Sequence, residues 1–158
     1  MLHARAARAH SKAGEPTQAW HKIDDAFTAY AKAPTPGDDL ASMYWINHGE
    51  LHQVAASSAL TLGEPKRALE HFTAALTHDD PYDTRREVRG TAIYLARQAE
   101  AHLALGDIDA ALDTGHQVIT AMGGVDSART ASTLAELRQG LGSHRHISAV
   151  RDFLDYAA

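Results

Sequence analysis

A local frame that occurs three times along the chain constrains its fold more than any other feature. Each copy has a glycine followed directly by an acidic residue, with one alanine seven residues before the glycine and another five residues after it. Glycine suits the left-handed position at the end of a helix, and the proline two residues after the glycine in two copies suits the first turn of the next helix. The frame therefore predicts a helical hairpin at each glycine, with alanines where the two helices approach. The three glycines are Gly14, Gly63 and Gly106.

Apolar residues around these glycines recur with the period of an α-helix. In the second copy, Ala68, Phe72 and Ala75 fall on one helical face, and no stretch of the chain alternates as a strand does. The pattern predicts an all-α fold of about eight helices stacked as an α-α superhelix. We expect them at about 2–13, 16–32, 38–62, 65–78, 84–105, 108–122, 127–141 and 147–156.

Composition narrows the classes of protein. At 158 residues the chain is long enough for one domain with its own core, and we expect a single repeat domain over 1–158. The absence of cysteine excludes disulfides, thiolate metal sites and a cysteine nucleophile. A formal net charge of −5 argues against a nucleic-acid surface, and no segment approaches the roughly 20 apolar residues of a membrane span.

The hairpins resemble tetratricopeptide repeats. The resemblance rests on Ala68-x-x-x-Phe72 in a second helix and on Pro81 at the end of that repeat. The glycines are 49 and 43 residues apart, which is longer than the usual repeat of about 34 and implies extended first helices. A longer series of short sequence segments resembles the C-terminal repeat domain of actinobacterial transcriptional regulators with an N-terminal helix-turn-helix. The segments are 43–46, 62–65, 94–96, 99–101, 105–107, 127–129 and 149–153.

This resemblance implies a cytoplasmic, non-catalytic sensing and dimerisation domain. Its partner would be a peptide, a protein segment or a small-molecule effector, a homodimer is possible, and this chain would not itself contact nucleic acid. The chain opens inside a helical pattern at Leu2 and has no DNA-binding segment, so we expect either an excised domain or a stand-alone relative. A stand-alone adaptor that joins two proteins is the alternative function.

The first helix of each hairpin lines the concave side of such a superhelix, and that surface binds extended partners. The family's offsets from the glycines place a polar set of mixed charge there, which favours a peptide over a base. Within the set, the amide of Asn47 could hold a peptide backbone, and the guanidinium of Arg89 could pair with a carboxylate. The groove residues predicted in this way are Arg8, Asn47, Glu50, Gln53, Ser57, Arg89, Ile93 and Glu100.

The 11 histidines raise the question of a metal site or an enzyme. His48 and His52 are four residues apart on a predicted helix, which lets two imidazoles share one metal ion, but no third ligand follows locally. Ser57 and Ser58 do not lie in the Gly-x-Ser-x-Gly turn that exposes a nucleophile. We therefore expect no cofactor, no metal and no catalysis, and keep an enzyme or metal-binding protein that uses the histidines as a third hypothesis.

Overall fold

The computed structural model describes residues 1–32, 47–78, 88–122 and 128–157, and these residues form helices without any strand. The all-α prediction is confirmed. The first parts of the predicted third, fifth and seventh helices, over 38–46, 84–87 and 127, lie outside the described residues. The helices are α1 Leu2–Lys12, α2 Pro16–Ala31, α3 His48–Thr61, α4 Pro65–Thr77, α5 Val88–Ala104, α6 Ile108–Met122, α7 Ala128–Leu141 and α8 Ser148–Tyr156, with a 3₁₀ turn at Gly142–His144.

The three glycines of the repeated frame form the predicted hairpin turns. Gly14, Gly63 and Gly106 have φ angles of 73°, 75° and 77°, a left-handed conformation that side chains with a Cβ rarely adopt. In the first turn, the backbone N–H of Glu15 donates to the carbonyl of His10 at 3.0 Å, and that of Gly14 donates to Ser11 at 3.2 Å. The same pair of bonds recurs at the other two glycines. This is the Schellman pattern, which satisfies carbonyls at a helix end and lets the next helix begin at once.

The alanines of the frame are fully buried on the paired helices. All six have an exposed fraction of 0%. Alanine has a small side chain, which lets two helices pack closely. The pairs that pack in this way are α1 with α2, α3 with α4, and α5 with α6. The six alanines are Ala7, Ala19, Ala56, Ala68, Ala99 and Ala111.

The chain divides into two compact units, Met1–Tyr82 and Asp83–Ala158. In the first unit, α1 packs on α2 and α3, and α3 packs on both α2 and α4. Its core contains Ala7, Ile23 and Ala55, with Trp20 and Phe27 packed against them. The aromatic side chains of α2 therefore lie beside α3, and this places them next to the candidate site.

The second unit has the larger described core. Here α5 packs on α6 and α7, and α8 packs on α6 and α7. Phe153 of α8 is 1% exposed and approaches Gly115 of α6 so closely that a Cβ there would lie 2.8 Å from the ring. The other buried members of this core are Ala99, Leu112, Leu137, Leu141, Val150 and Leu154.

The beginning of α3 corrects the sequence-based boundary. A helix was predicted from 38 to 62, but Asn47 has extended backbone angles (φ −131°, ψ 179°) and α3 begins at His48. The Asn47 Oδ1 accepts a hydrogen bond from the backbone N–H of Glu50 at 2.7 Å. Asparagine is a preferred N-cap because its side chain satisfies such an N–H, so a helix continuous through Asn47 is wrong. None of the described helices is both long and apolar enough to cross a membrane.

Candidate functional site

Histidine and aromatic side chains line a groove in the first unit, formed by residues of α2, α3 and α4. Its volume is about 610 Å³. We call it the histidine groove. Its lining residues are Trp20, Ile23, Asp24, Phe27, Thr28, His48, His52, Arg67, His71 and His78.

Helical spacing places the four imidazoles together. His48 and His52 are one turn apart on α3, and His71 lies two turns before His78, the residue that caps the end of α4. The packing of α3 on α4 then brings the two pairs to one place. Gly49 at the start of α3 lies close to α4, where a Cβ would be in ordinary contact with the Ala75 carbonyl oxygen at 3.4 Å.

Three of these histidines are arranged so that a single ion could reach all of them. One ring nitrogen each from His48, His52 and His78 lies within 4.8 Å of the others. The ring centroid of His78 is 4.9 Å from that of His48 and 5.2 Å from that of His52. His71 completes the cluster from the other side, where its Nδ1 lies 3.0 Å from the Nδ1 of His52.

The surroundings favour the neutral form of the imidazoles at the centre. Burial lowers the pKa of His52 to about 4, and the charges that His71, His78 and His48 would carry add to this effect. Burial also lowers the pKa of His71, with a further contribution from the Arg67 guanidinium. A neutral imidazole keeps one nitrogen lone pair for a hydrogen bond or a metal ion. At neutral pH, His52 and His71 therefore carry such a lone pair.

Two aromatic residues of α2 extend the wall around His48 and His52. The Phe27 ring centroid is 4.9 Å from that of His52, and the Tyr30 ring lies edge-on to His48 at 4.9 Å. The Nδ1 of His48 is buried and has no hydrogen-bond partner within the described part of the chain. Buried polar atoms are nearly always paired, so this nitrogen is available to a group that the described residues do not supply.

Trp20 forms a second wall of the groove. The Arg67 guanidinium lies 3.2 Å from the centroid of the indole, and the indole stacks on His71 at 5.8 Å. The Trp20 Nε1 donates a hydrogen bond to Glu64 at 3.4 Å, and the same carboxylate pairs with Arg67 at 3.5 Å. These contacts join α2 to the start of α4 and fix the orientation of the indole.

The groove residues predicted from the sequence are distributed differently from the histidine groove. In the first unit, the Arg8 guanidinium donates to the Thr61 Oγ1 at 3.2 Å and so connects α1 to the end of α3. Asn47 serves as the N-cap of α3. The other three lie on α3 with half-buried or buried side chains: Glu50, Gln53 and Ser57.

The remaining three predicted residues belong to the second unit. Ile93 and Glu100 are half-buried on α5, and the Arg97 Nη1 donates to Glu100 at 2.9 Å. Burial raises the pKa of Glu100, although the charge of Arg97 and its hydrogen bond oppose this shift. The side chain of Arg89 lies outside the described residues.

The sequence identified half of the histidine cluster. Spacing along the chain singles out His48 and His52, but His71 and His78 were not connected with them from the sequence. The signal that could have found them is their spacing of seven residues, two helical turns, on the helix paired with α3. The contact between the helices determines whether two such pairs meet. Comparisons with protein-family models, with curated proteins and with solved structures find no match for this chain.

Proposed function

We propose that this chain is a non-catalytic recognition module in which the histidine groove of the first unit binds a peptide segment. The observation that carries the proposal is the groove itself, about 610 Å³ of space bounded by Trp20, Phe27 and the imidazoles. Sites that bind other molecules are typically concave and mostly apolar, with a few polar groups that fix orientation. Aromatic walls with two opposite charges, Asp24 and Arg67, match that description.

The composition of the groove favours recognition over catalysis. Its lining, as far as the structure describes it, contains neither a serine nor a cysteine, and the hydroxyl of Thr28 lies on an exposed residue at the rim. The closest pair of potential acid-base groups is His52 and His71, two imidazoles whose lowered pKa values keep both of them neutral. Such a pair lacks the nucleophile and the orienting carboxylate of a hydrolytic triad. Rigid aromatic walls instead suit an apolar or aromatic side chain of a bound peptide.

We further propose that the chain is the sensing and dimerisation part of a bacterial transcriptional regulator of the tetratricopeptide type, located in the cytoplasm. The support is the repeated hairpin with its alanine contacts, together with the sequence resemblance described above. A peptide in the groove would act by binding one arrangement of such a regulator more tightly than another. Sequencing upstream of Met1 tests this assignment. A helix-turn-helix segment encoded there in frame would support the regulator, and a gene without one would favour the stand-alone adaptor.

Peptide binding is tested by selecting phage-displayed peptides on the immobilised full chain in the presence of EDTA. Thr28 is exposed on the rim of the groove, and Thr28→Arg should fill the entrance without disturbing the core. The adjacent Ala29 is also exposed but does not line the groove, so Ala29→Arg is the matched control. We expect calorimetric affinity for the selected peptides to fall at least about tenfold, or about 1.4 kcal/mol, in Thr28→Arg alone. Equal affinity of both variants would move the binding site away from this groove.

A further inference from the structure

We propose that His48, His52 and His78 bind one divalent transition-metal ion in the histidine groove, with Zn²⁺ as the reference ion. This inference deepens the proposed function, because it names the chemical class of one ligand of the same groove, and it rests on that groove. Imidazole nitrogen suits zinc, copper, nickel and iron, whereas calcium and magnesium prefer oxygen ligands. The three converging groups are all imidazoles, so the site favours zinc, copper, nickel or iron over calcium or magnesium.

The distances between the imidazoles allow a shared ion after small side-chain rotations. Their ligand nitrogens lie within 4.8 Å of one another. In a tetrahedral site with Zn–N bonds of about 2.0–2.1 Å, the nitrogens are about 3.4 Å apart, so each pair must close by no more than about 1.4 Å. His78 is exposed at the end of α4, so its ring has room to turn towards the other two.

His71 is placed to act as a positioning residue for the site. Its Nδ1 lies 3.0 Å from the Nδ1 of His52, so one of these nitrogens donates a hydrogen bond to the other. When His52 is the donor, its Nε2 carries the lone pair and is the nitrogen left for the metal. Metal-binding histidines almost always donate their second N–H to an outer carboxylate, carbonyl or water, which fixes the tautomer and the ring orientation, and here the His71 imidazole would take that place.

The buried Nδ1 of His48 is a second observation on one of these three histidines. It has no hydrogen-bond partner among the described residues, although Phe27 and Tyr30 pack around its ring. A metal ion at this nitrogen would supply the missing partner. Three protein ligands leave a fourth coordination position for water or for a polar group of a peptide in the groove.

The test uses the full chain freed of metal with EDTA, dialysed, and titrated with zinc sulfate by calorimetry. We expect one Zn²⁺ per chain. Native mass spectrometry should then show the mass of a single added ion. His78→Ala should weaken binding at least about tenfold, since a lost ligand costs no less than a lost outer partner. His21→Ala is the matched control, because His21 is an exposed histidine of the same unit outside the groove. Its zinc affinity should stay at the wild-type value.

His71 is tested with two substitutions. His71→Ala should weaken Zn²⁺ binding by about 10-fold to 100-fold, and His71→Gln, which keeps a hydrogen-bond acceptor for His52, should recover part of that loss. Far-UV circular dichroism checks that each variant remains folded. Co²⁺ provides a further readout, because four-coordinate Co²⁺ absorbs visible light strongly, and His78→Ala should lose this absorption.

The outcomes separate the metal site from peptide recognition. Failure of the wild-type chain to bind Zn²⁺, or equal affinities of His78→Ala and His21→Ala, would overturn the metal site. Because the peptide selection is performed in EDTA, Thr28-dependent peptides found without zinc binding would leave the proposed function standing and remove only the metal site. Zinc binding without Thr28-dependent peptides would support the metal site and remove peptide recognition.

Discussion

At the scale of single residues, Glu100 is a carboxylate that is largely buried, although its charged form is better solvated in water. Its side chain is 17% exposed, its Oε2 accepts from Arg97 at 2.9 Å, and its Oε1 is buried without a partner among the described residues. Burial raises the pKa of this group above its ordinary value of 4.5. A raised pKa means that the folded state binds the proton more tightly than the unfolded chain. Protonation of Glu100 therefore stabilises the fold as the pH falls through the folded-state pKa.

This sign leads to a pH-dependent prediction for Glu100→Gln, which keeps the shape of the side chain and removes its charge. As the pH is lowered from 7 to 4, the wild-type protein should gain thermal stability relative to the variant, because only the wild type can take up the proton. The Tm of the wild type minus the Tm of the variant should therefore rise steadily as the pH is lowered. Differential scanning calorimetry across the pH range measures it.

A substitution that removes no titratable group provides the control for Glu100. Gln117 is exposed on α6, and Gln117→Ala should differ from the wild type in Tm by a nearly constant amount across the same pH range. A wild type that loses stability relative to Glu100→Gln on acidification would reverse the sign. That result would mean that the ion pair with Arg97 outweighs the cost of burial.

At the scale of helices and turns, much of the fold follows from local chemistry that is visible in the sequence. Gly14, Gly63 and Gly106 predicted three turns, and each adopts the left-handed conformation that the prediction required. The predicted third helix, 38–62, runs through Asn47, where the structure has extended backbone. The competing signal was Asn47 followed three residues later by Glu50, the spacing of a capping box. The N-cap at Asn47 places the start of α3 at His48.

The same residue yields a prediction for the stability of α3. Asn47→Ala removes the acceptor for the Glu50 N–H and should lower the free energy of unfolding by about 0.5–2 kcal/mol. Asn47→Ser keeps a capping oxygen, so most of that stability should remain. Urea denaturation of the two variants and the wild type measures the difference. If both variants lost equal stability, the contribution of Asn47 would come from a contact other than the cap.

At the scale of the whole molecule, the candidate site depends on contacts between helices. Spacing along the chain identified His48 and His52, but 19 residues separate His52 from its hydrogen-bond partner His71. Whether two histidine pairs meet depends on the register of α3 against α4, which the buried Ala56 and Ala68 help to set. Local periodicity carries no information on that register. For this reason the sequence predicted the helices but only half of the imidazole cluster.

Because the chain divides into two compact units, we expect a bound ion to act mainly on one of them. The histidine groove belongs entirely to Met1–Tyr82, and a ligand stabilises only the structural unit whose opening releases it. At a free Zn²⁺ concentration about 100 times the Kd, the stabilisation is about 2.7 kcal/mol. Backbone amides of α3 and α4 that exchange through opening of the first unit should then exchange about 100-fold more slowly. Amides of α6 and α8 should exchange at unchanged rates.

Hydrogen-exchange mass spectrometry with Zn²⁺ and again with EDTA checks this expectation in one chain, because the second unit serves as the internal reference. EDTA should restore the faster exchange of α3 and α4. In His78→Ala, the amides of α3 and α4 should exchange at the same rate with and without zinc, because the variant lacks the metal ligand at the end of α4. The substitution is at an exposed residue, so the buried core of the unit is unchanged. Equal slowing in α4 and α8 would contradict the expectation, because zinc would then stabilise an opening shared by both units or act through histidines of the second unit. Slower amide exchange confined to α3 and α4 would mean that zinc stabilises the two helices that carry the four imidazoles and leaves the second unit unaffected.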